Sequence, residues 1–164
     1  MSGLRRSQRA FVLVLLGALC AVAAALVSQH VFGMEPCPWC VLQRLLFVLL
    51  AACALLGLVW PTVAGARTAA LSGIVCAGLG AAAALWQHWV AAASASCKLT
   101  LADRVISGLQ LDALMPALFA ATASCADAQV RLLGVPYEYW SLALFGALGI
   151  VLVMVLLKPS ATTR

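Results

Sequence analysis

Four cysteines, one arginine and one histidine carry the chemistry this sequence can do. Cys37-Pro38-Trp39-Cys40 is a C-x-x-C pair that falls where a helix is predicted to begin. Exposed N–H groups and the positive end of the helix dipole favour a thiolate there, and in such motifs a thiol pKa falls from about 8.5 to between roughly 3.5 and 7.5. The pair is therefore poised for exchange with another disulfide. Pro36 and Pro38 stiffen the approach, and a proline suits the first turn of a helix, where a missing N–H costs nothing. Cys97 and Cys125 stand 28 positions apart, a spacing that suits a loop-closing disulfide. Two other readings compete: inert structural disulfides, or a metal site shared by all four thiols. Zinc sites ordinarily show two close-spaced ligand pairs, which Cys97 and Cys125 do not supply.

Arg44 follows Cys40 by four residues, one turn or about 6 Å along a helix, and so shares its face. No Asp or Glu stands three or four positions from it, so its charge needs another partner. A Cys40 thiolate or an electron-rich carbonyl oxygen of a bound molecule would serve; the bland alternative is an arginine reaching out among lipid phosphates. His88, within Trp86-Gln87-His88-Trp89, is a weaker signal. It is either a hydrogen-bonded packing residue or a donor to a second carbonyl. His30 is read as a packing residue.

The elements that hold these residues are membrane helices. The chain is 65% hydrophobic and 9% charged, with a mean hydropathy of +1.09, outside the range of a soluble surface. Ala10–Met34, Leu45–Ala66, Thr68–Cys97 and Tyr139–Leu157 carry no charge over 25, 22, 30 and 19 residues. About 20 apolar residues cross a hydrocarbon core, and without period-2 alternation the runs are helices, not barrel strands. The expectation is an all-α membrane protein: an antiparallel four-helix bundle forming a single domain over 1–164. Spans are expected at about 10–33, 40–60, 68–93 and 139–157, with outer loops at about 34–39 and 94–138.

Charge sets the orientation. With both termini in the cytoplasm, the inner face holds six basic residues (Arg5, Arg6, Arg9, Arg67, Lys158 and Arg164) and no acidic one. The outer face holds Arg44, Lys98, Arg104 and Arg131 with all five acidic residues, as the positive-inside rule requires. Trp39, Trp86, Trp89, Tyr137, Tyr139 and Trp140 then lie near the outer interface. Arg5–Arg9 before an apolar run also resembles a signal peptide, but the run continues past Cys20 and Leu19 is bulky for a lipoprotein cleavage box, so a retained helix is expected. The basic residues are otherwise scattered, which excludes a nucleic-acid-binding stripe.

Short connections, at Phe32–Trp39 and Pro61–Arg67, predict tight antiparallel hairpins. The connection of about 94–138 is long and holds seven of the fifteen charges, so it is expected to be functional. Within it, Leu109–Phe119 reads as a partly amphipathic helix kinked by Pro116, lying on the outer leaflet or packed on the bundle. Cys20, Cys53 and Cys76 fall mid-span and are read as small apolar side chains.

Two outer disulfides imply a relay. Thiol–disulfide exchange moves two electrons between sulfur pairs, so a loop pair can meet a soluble partner and a membrane-edge pair can receive its electrons. The chain has no haem-type C-x-x-C-H, no iron–sulfur spacing and no dinucleotide-binding glycine motif, which leaves a lipid-soluble quinone as the expected acceptor.

Gln29-His30-Val31, Pro36-Cys37-x-x-Cys40-x-x-x-Arg44, the Trp86–Trp89 segment, Met115-Pro116-Ala117-Leu118-Phe119, Ser124-Cys125-Ala126 and Leu133-Gly134 before Trp140 together resemble the DsbB disulfide bond formation proteins. That resemblance implies a quinone reductase of the bacterial inner membrane that re-oxidises a periplasmic DsbA-like thiol oxidase. It implies that Cys97 forms the mixed disulfide with the partner and that Cys125, its disulfide mate, attacks Cys37. Released Cys40 would then meet a quinone, ubiquinone or menaquinone, held by Arg44 and His88. Pro38-Trp39 differs from what family members often carry inside the first pair, a place that sets redox poise. A protein similar to vitamin K epoxide reductase would share four helices and a C-x-x-C, but in the reverse order along the chain. The non-enzyme alternative is a metal-binding or metal-passing tetraspan protein.

Overall fold

The computed structural model describes residues 2–91, 100–128 and 130–157, with side chains from residue 5 onward. Four long helices are apolar enough to cross a membrane: α1 (Ser2–His30), α2 (Pro38–Val59), α3 (Val63–Trp86, continued by a π turn at Gln87–Ala91) and a last helix, α7 (Tyr137–Leu157). α1 runs on beyond the apolar stretch to take in Arg5, Arg6 and Arg9. α2 lies at the centre, packed between α1 and α3, with 12 of its 22 residues buried. The outer flanks of α1 and α7 present Leu13, Leu16, Ile150 and Leu157 as lipid-facing side chains do.

The α2–α3 turn is tighter than its proline suggests. Thr62 caps α3 by accepting the Gly65 N–H at 3.0 Å, so the helix starts at Val63, two residues after Pro61. α3 faces its neighbours with Ala69, Ala70, Gly73, Ala77 and Gly80, all buried. Small residues let backbones approach where lipid supplies no hydrophobic drive. The close approach at Gly80 leaves room for the Phe145 ring of α7, which stacks on Phe47 of α2 at 3.8 Å and 7°.

Between α3 and α7 the described chain forms α4 (Leu101–Gly108), α5 (Leu111–Leu114), α6 (Pro116–Phe119) and a two-stranded hairpin, β1 (Arg131–Leu132) with β2 (Val135–Pro136). Thr100 and Asp103 close a reciprocal capping box on α4, whose Ala102 and Ile106 are buried, and α4 packs on α2. The stretch expected to kink at Pro116 is two short helices broken at Met115, with Pro116 opening the second. Leu133 and Gly134 turn the hairpin with φ of 53° and 81°, the positive pair that a tight two-residue turn needs.

Candidate functional site

α2 begins at the cysteine pair itself. Cys37 is the N-cap, extended at φ −82° and ψ 165°, and its Sγ accepts the Cys40 N–H at 3.3 Å, the part usually taken by a serine or aspartate. Pro38 takes the first helical position. The C-x-x-C spacing is thus the spacing from N-cap to third helical residue, and it brings the two sulfurs to 2.7 Å.

Cys125 completes the cluster. It is buried in a turn after α6, with its sulfur against that of Cys37 and beside the backbone N–H of Trp39. That N–H is one of the first-turn donors with no partner inside the helix. Cys37 is held above the usual thiol range by its hydrogen bonds to Cys125 and Cys40 and by burial. Cys125 is held below it by the Cys37 hydrogen bond, which with the Trp39 N–H outweighs its own burial.

Cys40 faces the opposite way, into a cavity of about 260 Å³ between α1, α2, the π turn and α7, lined among others by Gln43, Arg44, Phe47, Gln87 and Glu138. Gln87 Nε2 donates to Cys40 Sγ at 3.3 Å, and Gln43 Nε2 donates to Gln87 Oε1 at 2.6 Å. Arg44 is only 4% exposed, which sets aside the arginine among lipid phosphates. Its Nη1 donates to Gln29 Oε1 at 3.0 Å and to the Leu118 carbonyl at 2.6 Å, while the buried Nε finds no acceptor among the described residues.

Cys37, Cys40, Cys125 and Arg44 thus come together, and Cys97 lies outside the described residues. His88 stands next to the cavity without lining it: its Nδ1 lies 2.7 Å from Glu138 Oε1, and its ring packs on Tyr139 at 4.7 Å. Sequence reasoning missed Gln43, Gln87 and Glu138. Two amides inside the expected spans were the available signal, because a polar side chain in a membrane helix is costly without a partner. Cys53 and Cys76 meet each other between α2 and α3, away from this cluster, and Cys20 is exposed on α1.

Four apolar helices with a thiol cluster at one end define a multi-pass membrane protein built for sulfur chemistry. The family model for the disulfide bond formation protein DsbB matches residues 7–155. Disulfide bond formation protein B 1 of Pseudomonas savastanoi pv. phaseolicola is 34% identical over 87% of this chain and 85% of its own. Disulfide bond formation protein B of Polaromonas naphthalenivorans is 32% identical over 87% of each chain, and that of Burkholderia pseudomallei 28% over 98% and 96%. The chain belongs to the DsbB family, and so is a membrane oxidoreductase acting in disulfide bond formation.

Proposed function

We propose that the protein re-oxidises a periplasmic, thioredoxin-fold thiol oxidase resembling DsbA and passes the two electrons to a membrane quinone. Both termini then lie in the cytoplasm and the four redox cysteines at the periplasmic face of the bacterial inner membrane, in the long connection and at the start of α2. The excess of basic residues on the opposite face supports that orientation. The observation that carries the reading is the arrangement of three sulfurs: Cys125 against Cys37, and Cys40 turned to a cavity that holds a buried arginine.

The cavity suits a quinone. Its walls from α1, Phe47 and Leu144 are apolar, and Arg44 Nε is a buried donor in need of an acceptor such as a ring carbonyl. A quinone bound there supplies an acceptor for two electrons and two protons. The chain's own residues do the rest. Cys97 forms the mixed disulfide with the partner and releases Cys125 as thiolate. Cys125 attacks Cys37 Sγ of the Cys37–Cys40 disulfide, and Cys40 leaves as thiolate, met by the Gln87 amide. A second partner thiolate frees Cys97, which attacks Cys125 and liberates Cys37, so that the first pair now holds both electrons. Arg44 and Gln87 orient the acceptor beside Cys40, and His88 acts through Glu138.

Purified protein in detergent, given a reduced thioredoxin-fold partner, is expected to reduce a soluble ubiquinone analogue. Cys37→Ser, Cys40→Ser, Cys97→Ser and Cys125→Ser each stop turnover, while Cys20→Ala, Cys53→Ala and Cys76→Ala do not. Turnover by the Cys40→Ser variant would refute the relay order. Stoichiometric zinc or copper on anaerobically prepared protein would favour a metal-passing protein instead, and labelling of the cluster from the cytosolic side would overturn the orientation.

A further inference from the structure

We propose that Glu138 and His88 form the route by which protons enter the cavity beside Cys40. The inference rests on the quinone reading above and adds to it the source of a proton that the sulfurs do not carry. When Cys97 has rebonded to Cys125, the first pair holds both electrons, and Cys37, held above the usual thiol range by its hydrogen bonds and burial, keeps one proton. The balance of the last step is then one thiol, one thiolate, one quinone and one proton to one disulfide and one quinol. The sulfurs supply two electrons and one proton. The second proton must cross from water into a cavity whose walls are mainly apolar.

Three observations mark the crossing. Glu138 lines the cavity and is buried, 8% exposed. Its Oε1 lies 2.7 Å from His88 Nδ1, and the His88 side chain is 33% exposed. One carboxyl therefore faces the reaction space while its hydrogen-bonded imidazole opens to the outside of the bundle near the outer end of α3. Of the other charged groups lining the cavity, Glu35 is exposed and Arg44 is fixed by Gln29 and Leu118.

The backbone explains how neighbouring residues serve different sides. Gln87 and His88 open the π turn that ends α3, and neighbouring residues of a helical turn point in different directions. Gln87 turns to Cys40 and Gln43 on α2, and His88 turns to Glu138 and Tyr139 on α7. π turns occur often at functional sites, and a buried carboxylate is costly without a partner, which the His88 ring supplies. Glu138 releases a proton into the cavity from its carboxyl. His88 then passes one from Nδ1 to Glu138 Oε1 and takes its replacement from water. The cycle runs once per quinol.

The test separates proton delivery from binding and from thiol exchange. Glu138→Gln is expected to slow single-turnover quinol formation on the order of tenfold to hundredfold, the range of one lost proton-transfer group. Affinity for a soluble ubiquinone analogue, read by tryptophan fluorescence quenching without any partner, is expected to stay within about twofold of wild type, since the carboxyl is not the acceptor's anchor. One round of disulfide exchange with the reduced partner, read by thiol trapping without quinone, is expected to be unchanged. His88→Ala is expected to be slow as well and to recover when free imidazole is added, whereas Glu138→Gln does not recover; a residue that only packs would show no such rescue. Full-rate quinol formation by Glu138→Gln, a loss matched by lost quinone binding, or a His88→Ala defect blind to imidazole would each overturn the proposal while leaving the quinone reading intact. A wild-type protein that exchanges disulfides but reduces no quinone would remove that reading, and this one with it.

Discussion

Arg44 keeps its place through one nitrogen that serves two acceptors, Gln29 Oε1 at 3.0 Å and the Leu118 carbonyl at 2.6 Å, while its Nε remains free for a third. A lysine carries its three donors on one nitrogen at the end of a flexible stem, so it cannot meet both anchors and also place a donor at the separate position of Nε. Arg44→Lys is therefore expected to weaken binding of a soluble quinone analogue by about tenfold or more while leaving disulfide exchange with the partner intact; unchanged affinity would remove Arg44 from the proposed quinone site. The amide pair makes a separate prediction. Gln87→Leu leaves the Gln43 amide buried without its acceptor, which costs about 1–3 kcal/mol and should lower the thermal midpoint in detergent. The double variant Gln43→Leu/Gln87→Leu removes both partners and should recover most of that stability, yet still lack the donor to Cys40. Equal losses in single and double variants would mean that the pair does not stabilise through its hydrogen bond. At this scale the sequence was legible where residue type and spacing together define chemistry, as in Cys37, Cys40 and Arg44. It was silent on Gln43 with Gln87 and His88 with Glu138, which lie 44 and 50 positions apart and meet only through packing.

Helices were easier to read than their ends. Charge-free runs revealed four spans because lipid admits few alternatives, but a run of apolar residues says nothing of where the backbone stops being helical. Thr62 starts α3 by a single hydrogen bond, α1 carries on through three arginines, and the π turn that aims Gln87 and His88 leaves no trace in hydropathy. Nor did composition reveal which glycines matter. A Cβ at Gly80 would overlap the Phe145 ring, which stacks on Phe47 at 3.8 Å, and Phe47 lines the cavity. Gly80→Ala is thus expected to lower stability by about 1–3 kcal/mol and to weaken quinone-analogue binding by displacing Phe47. Gly78→Ala, two residues along the same helix with nothing within 4 Å, should be neutral or slightly stabilising, because alanine is the better helix former. Thermal unfolding in detergent reads both, and similar behaviour of the two variants would contradict the close-packing account of the α3–α7 seam.

For the molecule as a whole, the decisive feature is that the described part of the connection between α3 and α7, residues 100–128, is fastened to α2 and to the segment before it. The Pro36 carbonyl, just before the cysteine pair, accepts the N–H groups of Thr122 at 3.0 Å and Ala123 at 3.3 Å. Phe119 is buried, the Leu118 carbonyl is held by Arg44, and α4 packs on α2. Cys125 follows the Pro36 clamp by two residues, so its register over Cys37 is set by the backbone and not by diffusion of a loop. Holding two reacting groups in register makes an encounter effectively intramolecular and well oriented, and small displacements are felt strongly. Two glycines inserted between Ala123 and Ser124 would leave the clamp bonded and move Cys125 off its station. In a Cys40→Ser background the Cys37 thiolate attacks Cys125 of the Cys97–Cys125 disulfide and Cys97 leaves as thiolate, and that exchange should then run on the order of tenfold more slowly or worse. The same two glycines placed at the exposed turn between Leu109 and Gln110, upstream of every one of those fastenings except α4, should leave the rate near that of the parent. Alkylation trapping followed by mass mapping reads both variants, and equal rates would show that Cys125 finds Cys37 without help from the fastened connection.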